Sequence, residues 1–263
     1  MNETLTHAPG TFCWVELLTT DAEAAKAFYG DLFGWSNTDT PAGPDTTYTT
    51  FQHDGRDVGG LYEMNAEQRA EGTPPHWLLY ACVDDAGAAA ERVRQHGGAV
   101  LAEPFDVMEA GRIAIVQEPA GATFALWEPR EHPGAGVVGE PASLCWSELA
   151  SRDAEASGAF LSRLFGWDTT SRPIANGTGT YTYFAQDERE VGGMLQMTDE
   201  WGDLPSHWSP YFAVTDCEAT ARRAEAAGGT VEVPPMDIPG AGRAAGLRDP
   251  QGAFFYVIQL SDG

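Results

Sequence analysis

Lysine is almost missing from this chain: Lys26 stands alone against fourteen arginines. Lys and Arg total 15 against 39 Asp and Glu, a formal net charge of −24. So acidic a surface repels phosphate backbones and anionic lipid, so neither nucleic acid nor membrane is expected as a partner, and a cationic small molecule is favoured over an anionic one. The charge also serves solubility, and the preference for arginine fits codon bias or salt adaptation. Cysteine is scarce too. Cys13, Cys82, Cys145 and Cys217 form no C-x-x-C pair, so zinc ribbons and dithiol redox motifs have no support. These residues read as small buried apolar side chains in a reducing compartment. No basic, then apolar, leader opens the chain and no apolar run reaches membrane-spanning length, so a cytoplasmic protein is expected. Also missing are a G-x-S-x-G elbow, a phosphate-binding glycine loop and an H-E-x-x-H pair.

What the sequence has is a repeat. Cys13-Trp14-Val15-Glu16-Leu17 returns as Cys145-Trp146-Ser147-Glu148-Leu149, and Phe33-Gly34-Trp35 as Phe165-Gly166-Trp167. Val58-Gly59-Gly60 returns as Val191-Gly192-Gly193, His76-Trp77 as His207-Trp208, and Gly97-Gly98 as Gly228-Gly229. Pro119-Ala120-Gly121-Ala122 matches Pro250-Gln251-Gly252-Ala253. The order is kept, and the spacing stays between that of His76 to His207 and that of Val58 to Val191. The expected organisation is a first module over 1–128, a Pro/Gly linker over 129–143 and a second module over 144–263.

Each copy reads as α+β. Residues 12–19 alternate as a strand, Asp21 caps an alanine-rich helix to Leu32, and Gly34 ends it. A hairpin turns at Asp54-Gly55. A polar loop over 65–75 leads to a strand over 76–83, a second helix over 86–96, and three more strands. Two helices would cover one face of such a mixed sheet, leaving the other to curl around a pocket.

These features resemble the vicinal oxygen chelate superfamily, which includes glyoxalase I, extradiol dioxygenases and bleomycin-resistance proteins. The motifs are the capped helix ending in F-G-W, the Gly-Gly after the second helix, and the turn Asp249-Pro250-Gln251-Gly252, weakened to Glu118-Pro119-Ala120-Gly121 in the first copy. The chain looks like the tandem two-module actinobacterial branch. The resemblance implies paired βαβββ motifs forming curved mixed sheets around cup-shaped pockets. It also makes a homodimer through sheet edges compatible with the fold.

The resemblance further implies a divalent metal held by His, Gln or Glu, chelating two adjacent substrate oxygens. At the matching positions stand Trp14, Leu78 and Ala125 in one copy and Trp146, Ser209 and Tyr256 in the other. None is a usual ligand for a hard metal, so the expectation is no metal and no cofactor. A displaced site from Glu16, His76 and Glu128 is one alternative. Side chains two apart on a strand share a face. The expected ligand-facing set is therefore Trp14, Glu16, His76, Leu78, Tyr80, Ala125 and Trp127, with Trp146, Glu148, His207, Ser209, Tyr211 and Tyr256 in the second copy. Aromatic walls suit a flat ligand, and a carboxylate beneath them suits an amine.

The leading expectation is metal-independent binding of an aromatic, cationic small molecule, as in antibiotic sequestration, resistance or biosynthesis. The alternative is a lyase, isomerase or oxygenase with Glu16 or Glu148 as base. His76 and His207 serve either the ligand or the preceding proline loop. The paired glycines are bulges, close backbone approaches or room for a ligand. The copy with Leu78 and Ala125 is expected to hold the larger cup and the likelier site.

Overall fold

The computed structural model describes residues 5–43, 46–174 and 179–261. The first half runs β1 (Phe12–Thr19), α1 (Ala22–Phe33), β2 (Ser36–Gly43), β3 (Thr46–His53), β4 (Arg56–Glu63), α2 (Ala66–Ala70), β5 (His76–Cys82), α3 (Ala86–Gln95), β6 (Ala99–Val107), β7 (Gly111–Gln117) and β8 (Thr123–Pro129). The second half repeats it without a counterpart to α2 as a full helix. Its elements are β9 (Leu144–Ser151), α4 (Ala154–Phe165), β10 (Asp168–Pro173), β11 (Thr180–Gln186), β12 (Arg189–Gln196), a 3-10 turn (Asp199–Trp201), β13 (His207–Ala213), α5 (Cys217–Ala226), β14 (Thr230–Ile238), β15 (Gly242–Arg248) and β16 (Phe254–Leu260).

The fold is α+β, with one eight-stranded mixed sheet per half. The orders are β2-β3-β4-β1-β5-β8-β7-β6 and β10-β11-β12-β9-β13-β16-β15-β14. Each βαβββ motif closes on itself: the last strand of its meander returns parallel to its first, β4 beside β1 and β8 beside β5. The second half does the same with β12 beside β9 and β16 beside β13.

Local chemistry explains the helix ends. Asp21, Asp85, Asp153 and Asp216 each accept a backbone N–H from three residues ahead, satisfying an orphan donor of the first turn. Gly34 and Gly166 end α1 and α4 in the left-handed conformation. Two elements lie beyond the sequence reading. The polar stretch β2, exposed along its whole length, is a strand because it pairs with β3. The loop after β4 contains α2, set by a capping box between Asn65 and Gln68.

Contacts sort the chain into two compact units that interleave the halves. One, here the Trp14 unit, comprises Trp14–Leu78, Ala135–Cys145 and the chain from Pro210 onward. The other, the Trp146 unit, comprises the chain up to Cys13 with Leu79–Gly134 and Trp146–Ser209. Each has its own aromatic core. Tyr29, Phe33 and Trp35 pack against Phe212 and Phe255 in the first. Phe165 and Trp167 pack with Phe12, Phe124 and Phe184 in the second. Trp77 and Trp208 are buried among these rings, which fixes the opposite face of β5 and β13 for their even and odd neighbours. No helix among the described residues is long and apolar enough to cross a membrane.

Candidate functional site

In the Trp14 unit, β1 and β4 run with Glu16 opposite Gly60, and β3 pairs with β4 with Thr50 opposite Gly60. A Cβ on Gly60 would lie 1.9 Å from Tyr48 Oη and 3.1 Å from Trp14 Nε1. The side chain that Gly60 lacks is thus the space the Tyr48 phenol occupies. There the Trp14 indole N–H donates to Tyr48 Oη at 3.0 Å, and the phenol donates to the Glu16 carboxylate. Burial, reinforced by the Glu16 charge, pushes the Tyr48 phenol well above its ordinary value. It stays a neutral donor. Such a donor is what lets a carboxylate with 7% exposure persist inside a sheet.

The Trp146 unit repeats the chain. Glu148 stands opposite Gly193, and a Cβ there would lie 2.1 Å from Tyr181 Oη. Trp146 Nε1–H donates to Tyr181 Oη at 2.8 Å, and Tyr181 donates to Glu148. Burial likewise raises the Tyr181 phenol. The second glycines therefore seat the protein's own phenols. The first glycines admit the neighbouring strand, since a Cβ on Gly192 would meet the Ser147 carbonyl at 2.9 Å.

Tyr48 and Tyr181 were absent from the set expected from sequence. Their signal was nevertheless present: Thr47-Tyr48-Thr49 recurs as Thr180-Tyr181-Thr182 in the same spacing as the glycine pairs. What sequence could not supply was the hairpin register that lays each tyrosine over its glycine.

The other expected residues fall into separate groups. His76 Nδ1 bonds the Pro74 carbonyl at 2.8 Å and His207 Nδ1 the Pro205 carbonyl at 2.9 Å. Both imidazoles therefore tie down their proline loops, and burial holds His76 below its usual pKa. Leu78 and Ser209 are buried. Tyr80 stands opposite Ala125, and its ring meets that of Trp127 edge-on at 6.1 Å. Tyr211 stands opposite Tyr256 and stacks on it at 4.3 Å. Glu128 accepts the Ala86 N–H at 2.9 Å and so caps α3. That role removes it from the displaced metal site considered above.

Exposure differs between the copies at two matched positions, Trp14 against Trp146 and Ala125 against Tyr256, while Tyr48 and Tyr181 are both partly exposed and Tyr80 and Tyr211 both buried. Trp14, Leu78, Tyr80, Ala125 and Trp127 are all buried, whereas Trp146, Tyr181, Tyr183 and Tyr256 are partly open. Two shallow grooves, of about 410 and 240 Å³, are lined by none of the expected residues.

The glyoxalase/bleomycin resistance protein/dioxygenase superfamily model matches residues 11–126 and again 144–256. The chain belongs to that superfamily. Among relatives, CFP32 of Mycobacterium tuberculosis, which carries a glyoxylase name, is 40% identical over 251 residues, 95% of each chain. The anthracycline biosynthesis protein DnrV of Streptomyces peucetius is 35% identical over 266 residues, 97% of this chain and 95% of its own. The 2,3-dioxygenase LapB from Pseudomonas sp. KL28 superposes with a TM-score of 0.68 at 12% identity, covering 98% of this chain and 94% of that one. The Mn(II)-bound glyoxalase from Novosphingobium aromaticivorans gives 0.65 at 15% identity, covering 98% and 85%. At such identities the structures share the fold alone.

The divalent metal of the superfamily does not fit the side chains present. Trp, Leu and Ala, and Trp, Ser and Tyr, occupy the ligand positions inferred from the resemblance. Among the described residues no group of three or more His, Cys, Asp or Glu side chains is arranged to hold an ion.

Proposed function

We propose that this superfamily member binds a flat aromatic small molecule carrying an amine, without a metal, at the open corner of the Trp146 unit. One observation carries the reading. The partly exposed rings of Trp146, Tyr181 and Tyr183 meet at steep angles, 64° between Trp146 and Tyr183 and 63° between the two tyrosines, with the Glu148 carboxylate bonded to Tyr181. Inclined rings give a planar ligand one face to stack on and an edge to abut. A carboxylate with 8% exposure beside them attracts a cation that the aromatic faces also favour. Two relatives are named for anthracycline biosynthesis. An anthracycline is a planar fused-ring compound, which agrees with this ligand class. Sequestration, resistance or assistance to a biosynthetic pathway are all uses of such binding.

Calorimetry with an aminoanthraquinone as probe tests this. Binding is expected with or without EDTA, and Trp146→Ala is expected to weaken it at least about tenfold, a loss of roughly 1.4 kcal/mol. Trp14→Ala is expected to change it little. No heat at millimolar probe, or equal losses for the two variants, overturns the proposal.

The buried carboxylate in hydrogen-bond contact with a phenol also favours a second reading, a lyase, isomerase or oxygenase with Glu148 as base. A Glu148→Gln variant that binds the probe normally but abolishes product formation would select it.

A further inference from the structure

The open corner of the Trp146 unit carries a cation that the other copy lacks. β10 is the outermost strand of the second sheet, and its register with β11 sets Arg172 opposite Tyr181 and Thr170 opposite Tyr183. Cross-strand neighbours project to one face. From there the exposed Arg172 side chain lays its guanidinium carbon 4.8 Å from the centre of the Tyr183 ring. Tyr183 is the ring that Trp146 meets at 64°. Among the described residues no carboxylate pairs with Arg172. The first copy has neither the cation nor its ring. Thr40 stands opposite Tyr48, where the second copy sets Arg172 opposite Tyr181, and Thr50 stands where the second copy has Tyr183. The guanidinium and the phenol it rests on therefore occur together, and only beside the partly open indole.

We propose, on the reading of this corner as the ligand site, that Arg172 recognises an anionic group there, and that the ligand is a planar aromatic carrying a carboxylate as well as an amine. A guanidinium lying on a ring engages it through its face and keeps N–H donors along its edge. Those donors match the paired oxygens of a carboxylate. β11 and β12 lie between β10 and β9, so about 14 Å separates the backbones that carry Arg172 and Glu148. Acid and amine therefore belong at opposite ends of the ligand, with the aromatic body between them. The long-range field runs the other way, since a chain of net charge −24 repels an anion. A preference for the acid needs a local cation with no carboxylate of its own, which Arg172 supplies.

Calorimetry tests this by comparing the aminoanthraquinone with the same compound bearing a carboxylate on the ring farthest from its amine. In the wild type the acid is expected to bind at least about fivefold more tightly at low salt, with the margin shrinking as salt rises. In Arg172→Gln the order of the two affinities is expected to reverse, because only the repulsion is left. Arg172→Lys keeps the charge without the planar fork and is expected to retain part of the preference. Arg189→Gln removes another exposed arginine, on β12, and is expected to leave the preference intact, which separates a local contact from net charge. If the wild type binds the parent compound but binds the acid no better, this inference falls and the aromatic site stands. If Arg172→Gln weakens both compounds by the same factor, the guanidinium only props the Tyr183 ring and the inference falls again. If neither compound binds, both readings fall together. The wild-type comparison decides even where a variant fails to fold.

Discussion

The two units bury the same kind of carboxylate and satisfy it by different means. In the Trp14 unit, Asp249 accepts the N–H groups of Gln251, Gly252 and Ala253 at 3.0, 2.8 and 2.9 Å. Tyr29 donates to its other oxygen at 3.0 Å and accepts the Trp77 indole N–H at 3.1 Å. In the Trp146 unit, Glu118 accepts from Ala120 and Ala122 at 2.9 and 2.8 Å, and Ser157 donates to it at 2.6 Å. The backbone part of the turn has survived duplication; the side-chain part has not. Leu161 stands where the first copy has Tyr29. The longer Glu118 reaches a serine instead, and the Trp208 indole N–H is left without a hydrogen-bond partner. A repeated fold can therefore keep its acceptors and change its donors, provided each acceptor finds one.

The sharpest break between the copies is expected at the glycines. Gly60→Ala places a methyl 1.9 Å from Tyr48 Oη, beside a Trp14 with 2% exposure that cannot retreat. A loss of about 3 kcal/mol in urea unfolding is expected from such overpacking. Gly193→Ala makes the same clash at 2.1 Å, but the Trp146 beside that tyrosine is partly open and can swing toward solvent. Its cost is expected nearer about 1 kcal/mol, with ligand binding at the corner lost. Equal destabilisation by the two alanines would mean that openness does not distinguish the copies.

A smaller difference is expected from the indoles. Trp77→Phe and Trp208→Phe remove the same atoms from two aromatic cores. Only the first breaks a hydrogen bond, and only the second relieves a stranded donor. Trp77→Phe is expected to cost about 2 kcal/mol more than Trp208→Phe, because an unmade bond at a buried polar group carries its full desolvation penalty. Matching denaturation midpoints would show that a water or a shifted carbonyl already serves Trp208.

How much of this could be read from the chain follows the same division between local and non-local information. Repeated anchors, the capping aspartates and Gly34 expose the duplicated α+β modules because each acts within a few residues of itself. Strand alternation places Trp14 beside Glu16, since parity needs no partner strand. The Tyr48 and Gly60 contact needed the register of a hairpin. The exposed strand β2 carried no hydrophobic pattern at all; only its pairing with β3 makes it a strand. That Trp14 is buried and Trp146 partly open depends on what packs around each ring, which two matching strand sequences do not encode.

The smallest expected effect is one of pH. Burial pushes the Asp249 carboxyl above its ordinary value, outweighing the backbone N–H groups and Tyr29 that favour the charge. A carboxyl raised by folding is held more tightly by proton in the native state than in the unfolded one. Its contribution is full below the unfolded value of about 3.9 and is lost as pH climbs through the raised native value. Asp249→Asn keeps an oxygen for the three backbone donors and has no charge to bury. Relative to wild type, the asparagine variant is therefore expected to gain stability steadily from acid toward neutral pH. A difference that runs the other way would show that the three N–H groups and the tyrosine stabilise the carboxylate more than burial opposes it, and burial would then not be the dominant influence on Asp249.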